Sequence, residues 1–156
     1  MLYAAQGRYA EAKPLLRRGL KIKEKLLGPA HPELAKSLDE LAALYVAQGR
    51  YAEAKPLLRR GLKIKEKLLG PAHPELANSL NNLAMLYAVK GQYAKADTLL
   101  QRAVAIWEKT TPDHPSLLCG LMNYADLLLE MKRDAAARKI VARVREIGAE
   151  QQKRSR

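Results

Sequence analysis

The sequence predicts an all-α solenoid of about seven helices stacked as antiparallel pairs. Three observations carry that prediction: a long direct repeat, apolar stripes at helical spacing, and Gly and Pro placed where helices start and stop. Tyr3 to Leu38 and Tyr45 to Leu80 align at an offset of 42 with two differences, Ala4 against Val46 and Lys36 against Asn78. His31-Pro32 recurs as His73-Pro74 and, one residue early, as His114-Pro115, while Gly7, Gly49 and Gly91 keep the same interval. Units of this length bury their apolar faces only by stacking on their neighbours.

Each period holds two helical patterns. Over about 9–27, Tyr9, Ala12, Leu16, Gly19, Ile22 and Leu26 fall three and four apart and share one face. Over about 32–48 the stripe is Leu34, Leu38, Leu41 and Tyr45. The longer pattern returns at 51–69 with Tyr51, Ala54, Leu58, Gly61, Ile64 and Leu68, and the shorter one at 74–90 with Leu76, Leu80, Leu83 and Tyr87. Tyr93, Ala96, Leu100, Ala103 and Ile106 mark 93–110; Leu117, Leu121, Tyr124 and Leu128 mark 115–131; a last helix covers 134–150.

Gly-Pro at 28–29 and 70–71 stops the longer helices, and Pro32, Pro74 and Pro115 stand in a first turn, where a missing N–H costs nothing. Gly49 and Gly91 make the tight turn inside a pair. Ala42, Ala84 and Ala125 on one helix, with Ala54, Ala96 and Ala137 on the other, let two axes approach closely. Gly19 and Gly61 stand inside helices at a cost of about 0.5–1 kcal/mol relative to alanine, so Gly61→Ala is expected to stabilise the fold. The expected organisation is one array over 1–150, made of a partial repeat (1–27) and repeats 31–69, 73–110 and 114–150, followed by a basic tail at 151–156.

Composition narrows the function classes. Of the 156 residues 48% are hydrophobic, enough for a sizeable core, yet no uncharged run nears the roughly 20 apolar residues of a membrane span. Met1 to Gly7 lack a signal-peptide layout, and a single cysteine, Cys119, forms no internal disulfide; the expected location is cytoplasmic. One histidine per repeat is too sparse for a shared metal shell, so His31, His73 and His114 are read as helix-start residues and no metal or cofactor is expected. No nucleophile–base set and no phosphate loop appears, which argues against an enzyme.

The order Leu80, Leu83-Ala84, Tyr87, Gly91, Tyr93, Ala96, Leu100, Ala103 resembles the tetratricopeptide signature, with Leu80 at the usual tryptophan position. The 42-residue unit, the His-Pro before each first helix and the string Leu80-Asn81-Asn82-Leu83-Ala84 are similar to kinesin light chains and their bacterial relatives. The resemblance implies a right-handed superhelix of helix pairs. It also makes Met1 to Gln6 the remnant of a first helix, leaving Leu16 and Ile22 short of a partner. At the far end Lys132 and Asp134 replace the turn glycine and tyrosine, and Arg138, Lys139, Arg143 and Arg145 give the last helix the polar face of a cap.

In that family the first helices line a concave groove that holds an extended peptide. The positions implied here are Lys36, Asp39, Glu40 and Ala43, then Asn78, Asn81, Asn82, Met85 and Val89, then Cys119, Met122, Asn123 and Asp126. An asparagine amide offers both a donor and an acceptor, which suits a peptide backbone. The expected partner is therefore a protein or peptide.

The net charge of +12 suggests a rival reading. The second helices, the residues leading into them and the tail carry 26 Lys/Arg against 9 Asp/Glu, and the remainder 2 against 7, so the basic charge lies mostly outside the groove. Arg17, Arg18 and Lys21, with Lys55, Arg59, Arg60 and Lys63, form a basic convex surface that could take an anionic partner such as nucleic acid. No reader motif accompanies it, and nucleic acid ranks behind a peptide. A third reading is a structural segment that self-associates through its incomplete N-terminal repeat. Trp107, where residues 23 and 65 are lysine, is read as packing against the next helix rather than as a recognition anchor.

Overall fold

The computed structural model describes residues 8–156, and the remnant helix expected at Met1 to Gln6 lies outside them. Seven helices occur among the described residues: α1 Tyr9–Leu27, α2 Pro32–Ala47, α3 Tyr51–Leu69, α4 Pro74–Val89, α5 Tyr93–Thr110, α6 Pro115–Glu130 and α7 Asp134–Arg154. No strand occurs among them. The chain divides into two compact units, one ending at Pro71 with α1 to α3 and one from Ala72 with α4 to α7.

The punctuation works as chemistry. His31, His73 and His114 cap α2, α4 and α6: each Nδ1 accepts from the N–H two residues on, at 3.2, 3.2 and 3.1 Å. Proline at the following position supplies φ already suited to a helix. At the other end the Gly49 N–H donates to Val46 O at 2.9 Å and the Arg50 N–H to Tyr45 O at 2.8 Å, which satisfies two terminal carbonyls and requires a left-handed residue. Gly49 and Gly91 take φ of 71° and 72°; Lys132 takes φ 57° in the same role, with Lys132 donating to Leu129 O and Arg133 to Leu128 O.

The last helix runs to Arg154 rather than ending near 150, so the expected tail is mostly helical. Gln151 to Arg154 are good helix formers with no Gly or Pro stop. Their side chains also reach back, Arg154 to the Asp113 carboxylate at 2.7 Å and Gln151 to the Asp113 carbonyl at 3.3 Å.

In the first unit Leu34, Ala35 and Leu38 of α2 and Ile64 of α3 form a buried cluster, with Leu20 of α1 and Leu57 packed against it. Ala42 and Ala54 are fully buried, as a close crossing requires. Polar ties cross the helices around this core: Lys65 pairs with Asp39, Arg60 with Glu24, and Lys23 Nζ donates to Ser37 Oγ at 2.8 Å.

Gly61 answers differently from the sequence expectation. A Cβ there would lie 3.0 Å from Asp39 Oδ1, on a carboxylate held by Lys65, so the helix-propensity gain of Gly61→Ala is opposed by crowding. Gly19, in the identical sequence of α1, has nothing within 4 Å of that point among the described residues.

In the second unit Leu76, Leu80, Leu100, Leu117, Leu121 and Leu128 are fully buried. Trp107 is buried too, and it lies over Gly120: a Cβ on Gly120 would stand 2.2 Å from Trp107 Cζ3. The tryptophan is thus a packing residue against the next helix, as expected. Tyr124, which takes a leucine's place in its stripe, hydrogen-bonds Asp97, and burial together with that carboxylate raises its pKa above the usual 10.0.

Candidate functional site

The apolar stripes of α2, α4 and α6 turn inward, so the remaining positions of each helix form an outward face. On α4, Asn78, Asn82 and Val89 are exposed and Asn81 and Met85 half-buried. On α6, Cys119, Met122 and Asp126 are exposed and Asn123 half-buried. On α2, Lys36 and Ala43 are exposed and Asp39 and Glu40 half-buried.

Comparison of α2 with α4 isolates this face. The eight buried residues of α2, Leu34, Ala35, Ser37, Leu38, Leu41, Ala42, Leu44 and Tyr45, recur identically in α4. The six differing pairs are Lys36/Asn78, Asp39/Asn81, Glu40/Asn82, Ala43/Met85, Val46/Ala88 and Ala47/Val89, and no member of any pair is buried. Over the second helices α1 and α3, by contrast, all 19 residues are the same, the surface cations included.

The amides are not equivalent. Asn123 Nδ2 donates to Asn81 Oδ1 at 3.0 Å, tying α6 to α4 across the face. That bond engages part of each amide, whereas Asn78 and Asn82 stand out into solvent. Asp39, at the Asn81 position of α2, is engaged by Lys65. Sequence reasoning expected all of these as ligand contacts, because outward spacing alone cannot say which side chains reach each other.

It also passed over Leu129. This residue is 52% exposed, beside Met122 at 43% and Val89 at 58%, so the outward faces of α4 and α6 carry apolar side chains among the amides. The signal was the spacing of seven from Met122 and three from Asp126, hidden inside the run Leu127-Leu128-Leu129.

The basic residues divide. Arg17, Arg18 and Lys21 are exposed and line one cleft of α1 with Lys13 and Pro14; Arg59 and Lys63 are exposed on α3. Arg60 is held by Glu24, Lys55 is half-buried, and Lys13 lies 5.4 Å over the Tyr45 ring, where a cation is attracted by the π face. Among the described residues no His, Cys, Asp and Glu converge as metal ligands, and no helix is long and apolar enough to cross a membrane.

Comparisons with known proteins fit this geometry. The tetratricopeptide repeat profile matches residues 1–67, 39–109 and 75–150. A kinesin-light-chain-like protein of Podosopora anserina, with nearly identical repeats, is 35% identical over 96% of this chain and 72% of its own, TM-score 0.81; a variant of it superposes at 0.83. BtubC of P. vanneervenii, 22% identical over 97% of this chain and 61% of its own (TM-score 0.89), shares the fold. So does RapI, at 19% identity over 97% and 53% (TM-score 0.84). No curated protein matches. With His-capped first helices, the profile match over residues 1–150 and this likeness to kinesin light chains, the chain belongs to the tetratricopeptide repeat family.

Proposed function

We propose that the chain holds an extended peptide segment of a partner protein against the outward face of its first helices. Tetratricopeptide repeats generally mediate protein–protein interaction. The observation that carries the reading is the comparison of α2 with α4: between these two helices every difference falls on non-buried positions of one face. Differences that packing does not require, gathered where a guest would touch, fit a surface that sets preference.

In the second unit the guest's backbone would pair with Asn78 and Asn82, and its apolar side chains would rest on Met122, Val89 and Leu129. Lys36 and Glu40 would give the first unit a more charged preference. The test is a peptide-library screen against the full chain, followed by Asn78→Ala with Asn82→Ala. At about 0.5–1.5 kcal/mol per hydrogen bond, the pair should lower affinity roughly tenfold with the melting temperature unchanged. Unchanged affinity would remove the assignment. Asn81→Ala is the wrong variant, since it also breaks the bond to Asn123.

A basic-surface reading keeps one specific support, the cleft of Lys13, Arg17, Arg18 and Lys21. Binding to generic RNA or DNA that weakens steeply with salt would favour it.

A further inference from the structure

The second unit distributes its charge unevenly. α4 and α6 hold no lysine or arginine, and their charged residues are Glu75, Asp126 and Glu130. α7, by contrast, holds six Lys/Arg against Asp134, Glu146 and Glu150. The two helices whose outward faces stand open to a guest are thus acidic within a chain of net charge +12. Lys90 and Lys132 belong to the turns that follow α4 and α6, and Lys132, two residues past Glu130, offsets part of its charge. Asp126 stands in the body of α6, a helix without any cation.

Other carboxylates of this unit are already engaged: Asp97 lies 3.6 Å from Arg133, Glu108 2.7 Å from Arg143 and Asp113 2.7 Å from Arg154. Asp126 is exposed and makes no ion pair or hydrogen bond with any described residue. Met122 lies four residues before it and Leu129 three after, so the three share one face of α6, and both apolar side chains are exposed. A carboxylate between two open apolar groups matches the build of an arginine or lysine. The methylene stem lies along the apolar atoms while the charged head reaches the oxygens. Arginine fits better, because its planar fork meets both carboxylate oxygens at once. A guest glutamate in the same place sets like charges together, which disfavours the complex.

We propose that Asp126 selects a basic partner: the peptide held on the α4 and α6 face carries an arginine or lysine that pairs with Asp126, and apolar neighbours that rest on Met122 and Leu129. The proposal rests on the peptide reading given above and adds the charge of the guest. The net charge of the chain points the other way, toward acidic partners. At physiological salt, however, charges act over only about 8 Å, so the residues of the face itself govern the contact.

The experiment uses the full chain and three libraries of peptides of about ten residues, which span roughly 33 Å when extended. The libraries share randomised apolar positions and differ at two fixed positions, which are arginine, glutamine or glutamate. At about 150 mM salt the arginine library should yield the tightest binders. Its best member should bind roughly threefold to tenfold more tightly than its own glutamine version, the range of one charged pair. Asp126→Asn should erase that preference and leave affinity for the glutamine version unchanged, which also reports an intact fold. Asp126→Lys should invert the preference in favour of glutamate. Glu146→Gln makes an equal change of net charge on an exposed residue of α7, in the cleft with Pro112 and Asp113, and should do neither. A matching effect of Glu146→Gln would overturn the proposal by showing that only total charge is sensed. Glutamine or glutamate peptides that bind as tightly as the arginine ones, and weaken with Asn78→Ala and Asn82→Ala, would also overturn it while leaving the peptide reading in place. Absence of saturable binding by every library up to about 1 mM, the weak end of specific association, would remove both.

Discussion

Lys23 and Trp107 hold corresponding places two repeats apart, and so do Ser37 and Gly120. In the first unit the lysine donates to the serine; in the second the indole covers the glycine, and no side chain fits between. A polar pair has been replaced by an aromatic ring and a vacancy, and neither partner makes sense alone. Gly120→Ser should cost ~1–3 kcal/mol through overpacking, despite the better helix propensity of serine. Trp107→Lys should cost about 3–5 kcal/mol through the void it leaves. The double variant should fall short of the summed cost by at least about 1 kcal/mol in denaturant unfolding. Strict additivity would show that the two positions do not sense each other. Gly120 could have been noticed in the sequence as the residue opposed to Ser37 and Ser79, but only by aligning it together with Trp107.

At the scale of the element, the helix ends were legible almost to the residue because His-Pro, Gly-Pro and the turn glycine each have one physical use. Lys132 shows the same rule under strain. It takes a left-handed φ that costs a residue with a Cβ roughly 1–2 kcal/mol, so Lys132→Gly should raise stability by about 1 kcal/mol in thermal or urea unfolding. Tyr124 gives α6 a pH dependence. Its folded pKa is raised by burial and by Asp97, so the unfolded chain loses this proton first. The contribution is therefore complete below pH 10.0 and is lost as pH rises through the folded value. Unfolding followed from pH 8 to 11 should show that decline in the wild type and a smaller one in Tyr124→Phe, a comparison that removes the background from other tyrosines and lysines. Burial was the part that sequence could not give. α1 and α3 are one sequence with two environments, and the coverage of Ile22 or Ile64 is a property of the neighbour. Nor could spacing distinguish Asn81, bonded to Asn123, from Asn82, which faces solvent.

For the whole chain the relevant quantity is a net charge of +12. Ion pairs between helices offset part of it locally, but pairs as exposed as Arg60 with Glu24 contribute at most about 1 kcal/mol. Self-repulsion should dominate, so raising salt from about 20 to about 200 mM, which shortens the screening length severalfold, should raise the melting temperature. A fall would mean that the paired charges outweigh the unpaired ones. The separation between the buried positions of α2 and α4 and their six differing positions has a broader consequence. Between α2 and α4 a copied helix has changed its outward face while the alphabet of its buried positions goes untouched, so such copying supplies a new surface from a sequence that already folds. Asp39, bound to Lys65, and Asn81, bonded to Asn123, belong to both vocabularies, and they are the letters whose revision would be felt in stability as well as on the outward surface.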